Sequence, residues 1–258
     1  QVWQPANYDE EFLGPITLQT ALERSRNLAT IDIVSRIGLD PVIQYAAKLG
    51  IKSKLGYNPS IALGSSEVTL LEMVRAYGVF AAKGVLFDSA FITEIKDRHG
   101  TIIYDYTNDM LAKASQVLNP NTAFVMAHLM TGTIQRGTGV RVKALGRPVA
   151  GKTGTSNDQM DTWFLGYTPE WSAGVWVGFD LKKDIGEKET GGRVAAPAFI
   201  YFMQDFLTFR DKQKYEQLLE ESKAEATRLG IDPEPVEPLK PLDFSVPDGV
   251  DPFWMNKH

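Results

Sequence analysis

RPVAGKTGTSNDQMDTWFLGYTPEWSAGVWVGFD, residues 147–180, decides the fold. Three runs in it, 147–154, 162–167 and 172–180, have the alternating, β-branched and aromatic texture of strands. The links between them are too short for helical crossovers, so an antiparallel meander is expected rather than a parallel sheet. Upstream, the apolar residues switch to helical spacing. Thr17 can cap a helix over 17–29, with Leu18, Ala21, Leu22 and Ser25 on one face. Two more helices are read over 31–37 and 41–49, stopped by Gly38 and Gly50, and a fourth over 69–83, stopped by Gly84. Residues 91–97 and 101–106 read as a hairpin around Arg98-His99-Gly100, and 121–131 as another helix. Helices before and after an antiparallel sheet make an α+β domain.

Downstream, 195–209 is apolar and aromatic, as a helix packed on that sheet would be. Residues 210–229 continue it as a charged helix, with Glu216 and Glu220 on one stripe and Lys223 nearby, the pattern of a solvated face. After Gly230 the texture changes: six of the 14 prolines fall between Ile231 and His258, which reads as an extended tail. The division expected is therefore a globular unit over 1–209, a charged helix over 210–229 and a Pro-rich tail over 230–258.

The chain has 258 residues, 43% of them hydrophobic, enough for one substantial core. A net charge of -5 and a pI near 5.3 give no basic footprint, so no nucleic-acid partner is expected. Without cysteine there is neither a disulfide framework nor a thiolate nucleophile. His99, His128 and His258 are too scattered for a ligand set, and no metal is expected. No apolar run approaches the roughly 18 residues of a membrane span.

Two short stretches carry possible chemistry. Lys152-Thr153-Gly154-Thr155 ends a strand, and Gly154 leaves room for another backbone to approach, as a strand edge that binds an extended peptide requires. The same residues also suit an ordinary strand end turning at Gly154. Ser25-Arg26-Asn27 lies at a helix end, where Ser and Asn are common for local hydrogen-bonding reasons alone.

Taken together and in order, these stretches resemble the transpeptidase half of class A, bifunctional penicillin-binding proteins. That family carries a Ser-x-x-Lys, a Ser-x-Asn and a Lys-Thr-Gly-Thr, and the related motif set of penicillin-binding proteins and β-lactamases is a worked case of serine acyl transfer. Ser25-Arg26-Asn27 matches the second motif and Lys152-Thr153-Gly154-Thr155 the third. The resemblance extends to Trp3-Gln4-Pro5-Ala6-Asn7-Tyr8, Gly64-Ser65-Ser66-Glu67-Val68-Thr69, Gly137-Thr138-Gly139, Asp161-Thr162-Trp163-Phe164, Trp176-Val177-Gly178-Phe179-Asp180 and Thr190-Gly191-Gly192. It covers roughly residues 1–209, with a weaker echo in Phe244-Ser245-Val246-Pro247-Asp248-Gly249-Val250. Leu70, where the family often has proline, and Lys83 depart from the pattern without touching the motifs.

One departure is larger. No lysine here has a serine three positions before it, so the chain holds no Ser-x-x-Lys. In the family that motif lies upstream of Ser-x-Asn, which would place it before Gln1 and make this chain the C-terminal part of a transpeptidase domain, incomplete at its N-terminus.

The resemblance implies D,D-transpeptidation. A serine attacks the D-Ala-D-Ala carbonyl of a peptidoglycan stem peptide, an amine takes the acyl group, and β-lactams acylate the same serine. It further implies that Ser25 relays a proton, that Asn27 holds the substrate amide, and that Lys152 supplies positive field. Thr153 and Thr155 would bind the terminal carboxylate, the Thr155 N–H would form half of an oxyanion hole, and Gly154 would allow the close approach. No cofactor is required. The partners expected are stem peptides, β-lactams and the N-terminal remainder of the same protein. That remainder would supply the membrane anchor and a glycosyltransferase, with the domain on the periplasmic face of the bacterial inner membrane. Two other readings stay open: a D,D-carboxypeptidase or β-lactamase that gives the acyl group to water, and a non-catalytic peptidoglycan-binding or scaffold module.

Overall fold

The computed structural model describes residues 4–248, the side chains of Asn108 and Asn157 excepted. Trp3, Gly249, Val250 and His258 therefore lie outside the described residues. In chain order the elements are α1 (Leu18–Glu23), α2 (Asn27–Ile37), α3 (Leu39–Lys48), α4 (Leu70–Ala81), β1 (Val85–Leu86), β2 (Glu94–Lys96), β3 (Ile102–Asp105), α5 (Tyr106–Lys113), β4 (Ser115–Gln116), α6 (Pro120–Gln135), β5 (Ala150–Thr155), β6 (Asp161–Tyr167), β7 (Ser172–Gly178) and α7 (Ala195–Leu229). The fold is α+β, with antiparallel sheets flanked by helices.

The sheet that organises the molecule is the meander β5-β6-β7, with Lys152 opposite Leu165 and Trp163 opposite Trp176. Strand alternation divides its side chains between two helical layers. Phe164 points to one layer and meets Phe199 of α7 with ring centroids 4.6 Å apart, alongside buried Ile134, Val149 and Met203. Tyr167 points to the other and packs with Ala150 against Ala127 and Met130 of α6, next to Tyr77 and Phe80 of α4. Burial raises the Tyr77 phenol to about 12 and the Tyr167 phenol well above its ordinary value, so both stay neutral. Burying Phe164 and Phe199 completely removes two large apolar surfaces from water, worth about 2 to 3 kcal/mol each.

Local signals hold at most boundaries. Thr69 caps α4 in a reciprocal box: Thr69 Oγ1 accepts from Glu72 N, and the Glu72 carboxylate accepts from Thr69 N. The same carboxylate accepts from Lys52 N, Ser53 N and Ser53 Oγ, so it pins the 52–53 loop to the helix. Hydrogen bonds, that from Ser53 foremost, draw its pKa down to about 2. Glu72→Ala should cost about 1 to 3 kcal/mol at pH 7, because three main-chain N–H groups lose their acceptor. A folded pKa below the unfolded one gives stability that is full above about 4.5 and lost as pH falls toward 2. Urea unfolding of both forms should therefore differ less at pH 3 than at pH 7. An equal difference at both values would show that the charge is not the source.

The hairpin forms as β2 and β3, but residues 106–113 turn into α5, with Asp105 as its cap. The helix expected over 121–131 runs on to Gln135. The helix expected over 17–29 is broken in two, and that break builds the site described below.

α7 is one uninterrupted helix of 35 residues. After Gly230, in a left-handed turn, the chain reverses and runs back along it. Ser222 Oγ donates to Glu234 O at 3.0 Å, Ala226 is buried, and Pro241 and Leu242 lie beside Leu207. Phe244 then docks edge-on against Tyr167, with centroids 5.7 Å apart.

Candidate functional site

α1 begins as its sequence dictates, with Thr17 capping, and stops at Glu23. Ser25 follows at φ +52°, a left-handed backbone that costs a serine about 1 kcal/mol or more unless its surroundings enforce it. Residues 6–11 do the enforcing. The buried Arg26 guanidinium donates twice to Asp9, at 2.5 and 2.7 Å, and lies 3.7 Å from Glu11. Asn27 Nδ2 donates to Ala6 O at 2.8 Å, and Leu28 N donates to Asn7 Oδ1 at 3.3 Å. These bonds outweigh the local preference for a continuous helix and turn Ser25 outward.

Lys152 lies in β5 on the same face as Ala150 and Gly154, toward the α4 and α6 layer. Its Nζ donates to Ser25 Oγ at 2.8 Å, across 127 residues of sequence, and to Thr153 O at 3.0 Å. Burial lowers its pKa from 10.5 to about 8, so the ammonium still predominates at neutral pH, close to its titration.

Thr153 and Thr155 point to the opposite face. Thr153 Oγ1 lies 2.7 Å from Thr138 Oγ1; the pair shares one proton between them, which leaves one O–H free to donate. Thr155 Oγ1 accepts from Gly191 N at 3.1 Å and keeps its own proton available. Gly191 can sit there only because it has no side chain: a methyl group would run into Trp163 O and Gly154 O. Gly154 in turn lies over Trp163.

Ser25 thus meets Lys152 on one face of β5, while Thr153 and Thr155, on either side of Gly154 in the same strand, present their hydroxyls on the other. Asn27 is two residues from Ser25, but its amide nitrogen is committed to Ala6 O. Thr138 and Gly191 are the additions to this group. Both stand in stretches that carry the family resemblance, Gly137-Thr138-Gly139 and Thr190-Gly191-Gly192, to which it attaches no role. Glu23 and Arg136, which tie α1 to α6, carried no signal in the sequence at all. Among the described residues no group of three or more His, Cys, Asp or Glu could hold a metal ion, and no helix is long and apolar enough to cross a membrane.

The chain is 38% identical over 229 residues to penicillin-binding protein 1A of Rickettsia conorii, an alignment that covers 81% of this chain and 29% of that protein. With penicillin-binding protein 1A of Aquifex aeolicus it shares 37% over 202 residues, 78% of this chain and 27% of the other. It spans less than a third of the length of these relatives. Among solved structures, penicillin-binding protein 1A from Haemophilus influenzae superimposes with a TM-score of 0.73 at 28% identity, over 80% of this chain and 36% of that one. The PonA1 protein of Mycobacterium tuberculosis, solved in complex with penicillin V, gives 0.63 at 25% identity over 76% of this chain and 57% of that one. The family model for the penicillin binding protein transpeptidase domain matches residues 1–204. That match takes in both ends of the Ser25–Lys152 contact, and the chain belongs to the penicillin-binding-protein transpeptidase family.

Proposed function

We propose that this chain is the C-terminal part of a serine D,D-transpeptidase and supplies every group of the acyl-transfer site except the nucleophile and its paired lysine. The observation that carries the proposal is the 2.8 Å bond from Lys152 Nζ to Ser25 Oγ, which joins the two sequence motifs at one point. A serine on a separate Ser-x-x-Lys segment attacks the carbonyl between two D-alanines of a stem peptide. Ser25 Oγ relays to the departing D-alanine amine the proton that the attacking serine gives up through its paired lysine, and Lys152, hydrogen-bonded to Ser25, steadies the charge on that path. The free O–H of the Thr138–Thr153 pair and that of Thr155 donate to the terminal carboxylate, with the Lys152 field behind them. The Thr155 N–H gives one half of the oxyanion hole, the nucleophile's N–H the other. Asn27 Oδ1, which makes no bond among the described residues, accepts the substrate amide N–H. An amine from a second stem peptide then takes the acyl group from the serine, and the serine recovers its proton.

On this reading the protein works in the periplasm, anchored by sequence outside this chain, with stem peptides as substrates and β-lactams as inhibitors. The relatives named above are penicillin-binding proteins 1A, which supports the synthase over a hydrolase of the same superfamily. The test is reconstitution. This chain, joined to or mixed with a family segment that bears Ser-x-x-Lys, should react covalently with a fluorescent penicillin at the added serine. A folded assembly that stays unlabelled would count against the reading.

A further inference from the structure

Glu23 closes α1 with its carboxylate buried, although the chain two residues later is exposed at Ser25. Arg136 Nη2 donates to Glu23 Oε1 at 2.5 Å and Nε donates to Oε2 at 3.3 Å, while Gln19 Nε2 donates to Oε1 at 3.0 Å. The main chain of the same residue is also engaged: Glu23 O accepts from Thr138 N at 3.2 Å. The end of α6 is shaped to receive it. A methyl group on Gly132 would strike the carboxylate, and one on Gly137 would strike Glu23 O. Burial alone would raise the Glu23 pKa, but the bonds from Arg136 and Gln19 outweigh it, and the group stays ionised at neutral pH. Arg24 and His128 also lie within reach of its field.

One residue therefore holds two arms of the site. Two positions after it, Ser25 Oγ receives the bond from Lys152. Through its carbonyl it fixes Thr138, whose hydroxyl meets Thr153. We infer that Glu23, clamped by Arg136, is the positioning residue that sets the distance between Ser25 and the Lys152–Thr153 strand. The inference rests on the acyl-transfer reading only for its consequence in turnover; the geometry it asserts can be measured without catalysis.

The experiment follows the Lys152 ammonium of the 258-residue chain by NMR of lysine labelled at Cε, assigned through Lys152→Arg. The unmodified chain should titrate near 8. In Glu23→Gln the Ser25 loop loses its anchor, water reaches the ammonium, and the midpoint should rise toward 10.5. Loss of a nearby negative charge acting through space alone would move it down. The sign thus separates positioning from simple electrostatics. Arg136→Lys keeps the charge of the pair but offers a single donor position, and should give a smaller rise in the same direction. It also decides the matter if Glu23→Gln does not fold. A midpoint unchanged or lowered in the folded variants overturns the inference. Reversible binding of N-acetyl-D-alanyl-D-alanine by the unmodified chain is a separate readout. Its absence would count against the acyl-transfer reading and leave the titration to judge Glu23.

Discussion

Lys152→Ala should slow acylation by penicillin about a hundred- to a thousandfold in a reconstituted assembly that carries the Ser-x-x-Lys serine, the loss typical of removing one preorganised donor from an acyl-transfer site. The size of the effect follows from position. Lys152 is held by Ser25 and by Thr153 O, so on the proposed reading its charge would be aimed without reorganisation when the leaving group takes up a proton. A half-buried position makes that charge count for more than it would in solvent. Lys152→Arg keeps the charge, but its planar head cannot reproduce the two bonds of an ammonium in the same space, and should recover only part of the rate. Lys212→Ala is the control: that side chain is 74% exposed, 3.9 Å from Glu216, and should leave acylation unchanged. Equal losses at 152 and 212 would remove the special role given to Lys152.

The isolated 258-residue chain should form no stable covalent adduct with penicillin. Loss of a nucleophile costs several orders of magnitude in turnover even where the rest of a site is intact. Ser25 is the one serine placed to substitute, since Lys152 touches its oxygen. On the proposed reading it would lack a second lysine and half of the oxyanion hole, so a tetrahedral intermediate on it would be poorly stabilised. On the proposed reading weak reversible binding should survive, because Lys152, Thr153 and Thr155 would still receive a carboxylate. Intact-mass measurement after incubation with excess penicillin gives the answer directly. A stoichiometric increase mapped by peptide digestion to Ser25 would relocate the nucleophile and undo the division of labour proposed above.

The meander was legible because strand alternation and link length act locally: 147–180 contains all the information needed to order β5, β6 and β7. The capping box at Thr69 and Glu72 was legible for the same reason. The break at Ser25 was not, because the groups that enforce its backbone, Asp9, Ala6 and Asn7, lie about twenty residues away and act through single hydrogen bonds. The period-two pattern of 101–106 hides the start of α5, because its cap, Asp105, is itself the last residue of β3. Glu23 was hidden for a further reason. On a helical wheel it is one more acid near a helix end, and its importance comes from an arginine 113 residues later. The Ser25–Lys152 pair reached the sequence reading through family resemblance, since no local pattern links two residues so far apart.

The return of the chain along α7 bears on how this molecule can be attached to anything else. At about 1.5 Å per residue, the helix carries Gly230 roughly 35 Å beyond Leu207, the last of its core positions near the sheet. The return then brings Phe244 back to Tyr167 in β6, which pairs with Ala150 at the end of β5 far from Thr155. Residues 244–247 accordingly lie against α4 and α6, where an inserted loop would compete for room. The tip at Gly230 is the better handle: a loop inserted there would project outward on a two-ply stalk, away from both Ser25 and Lys152.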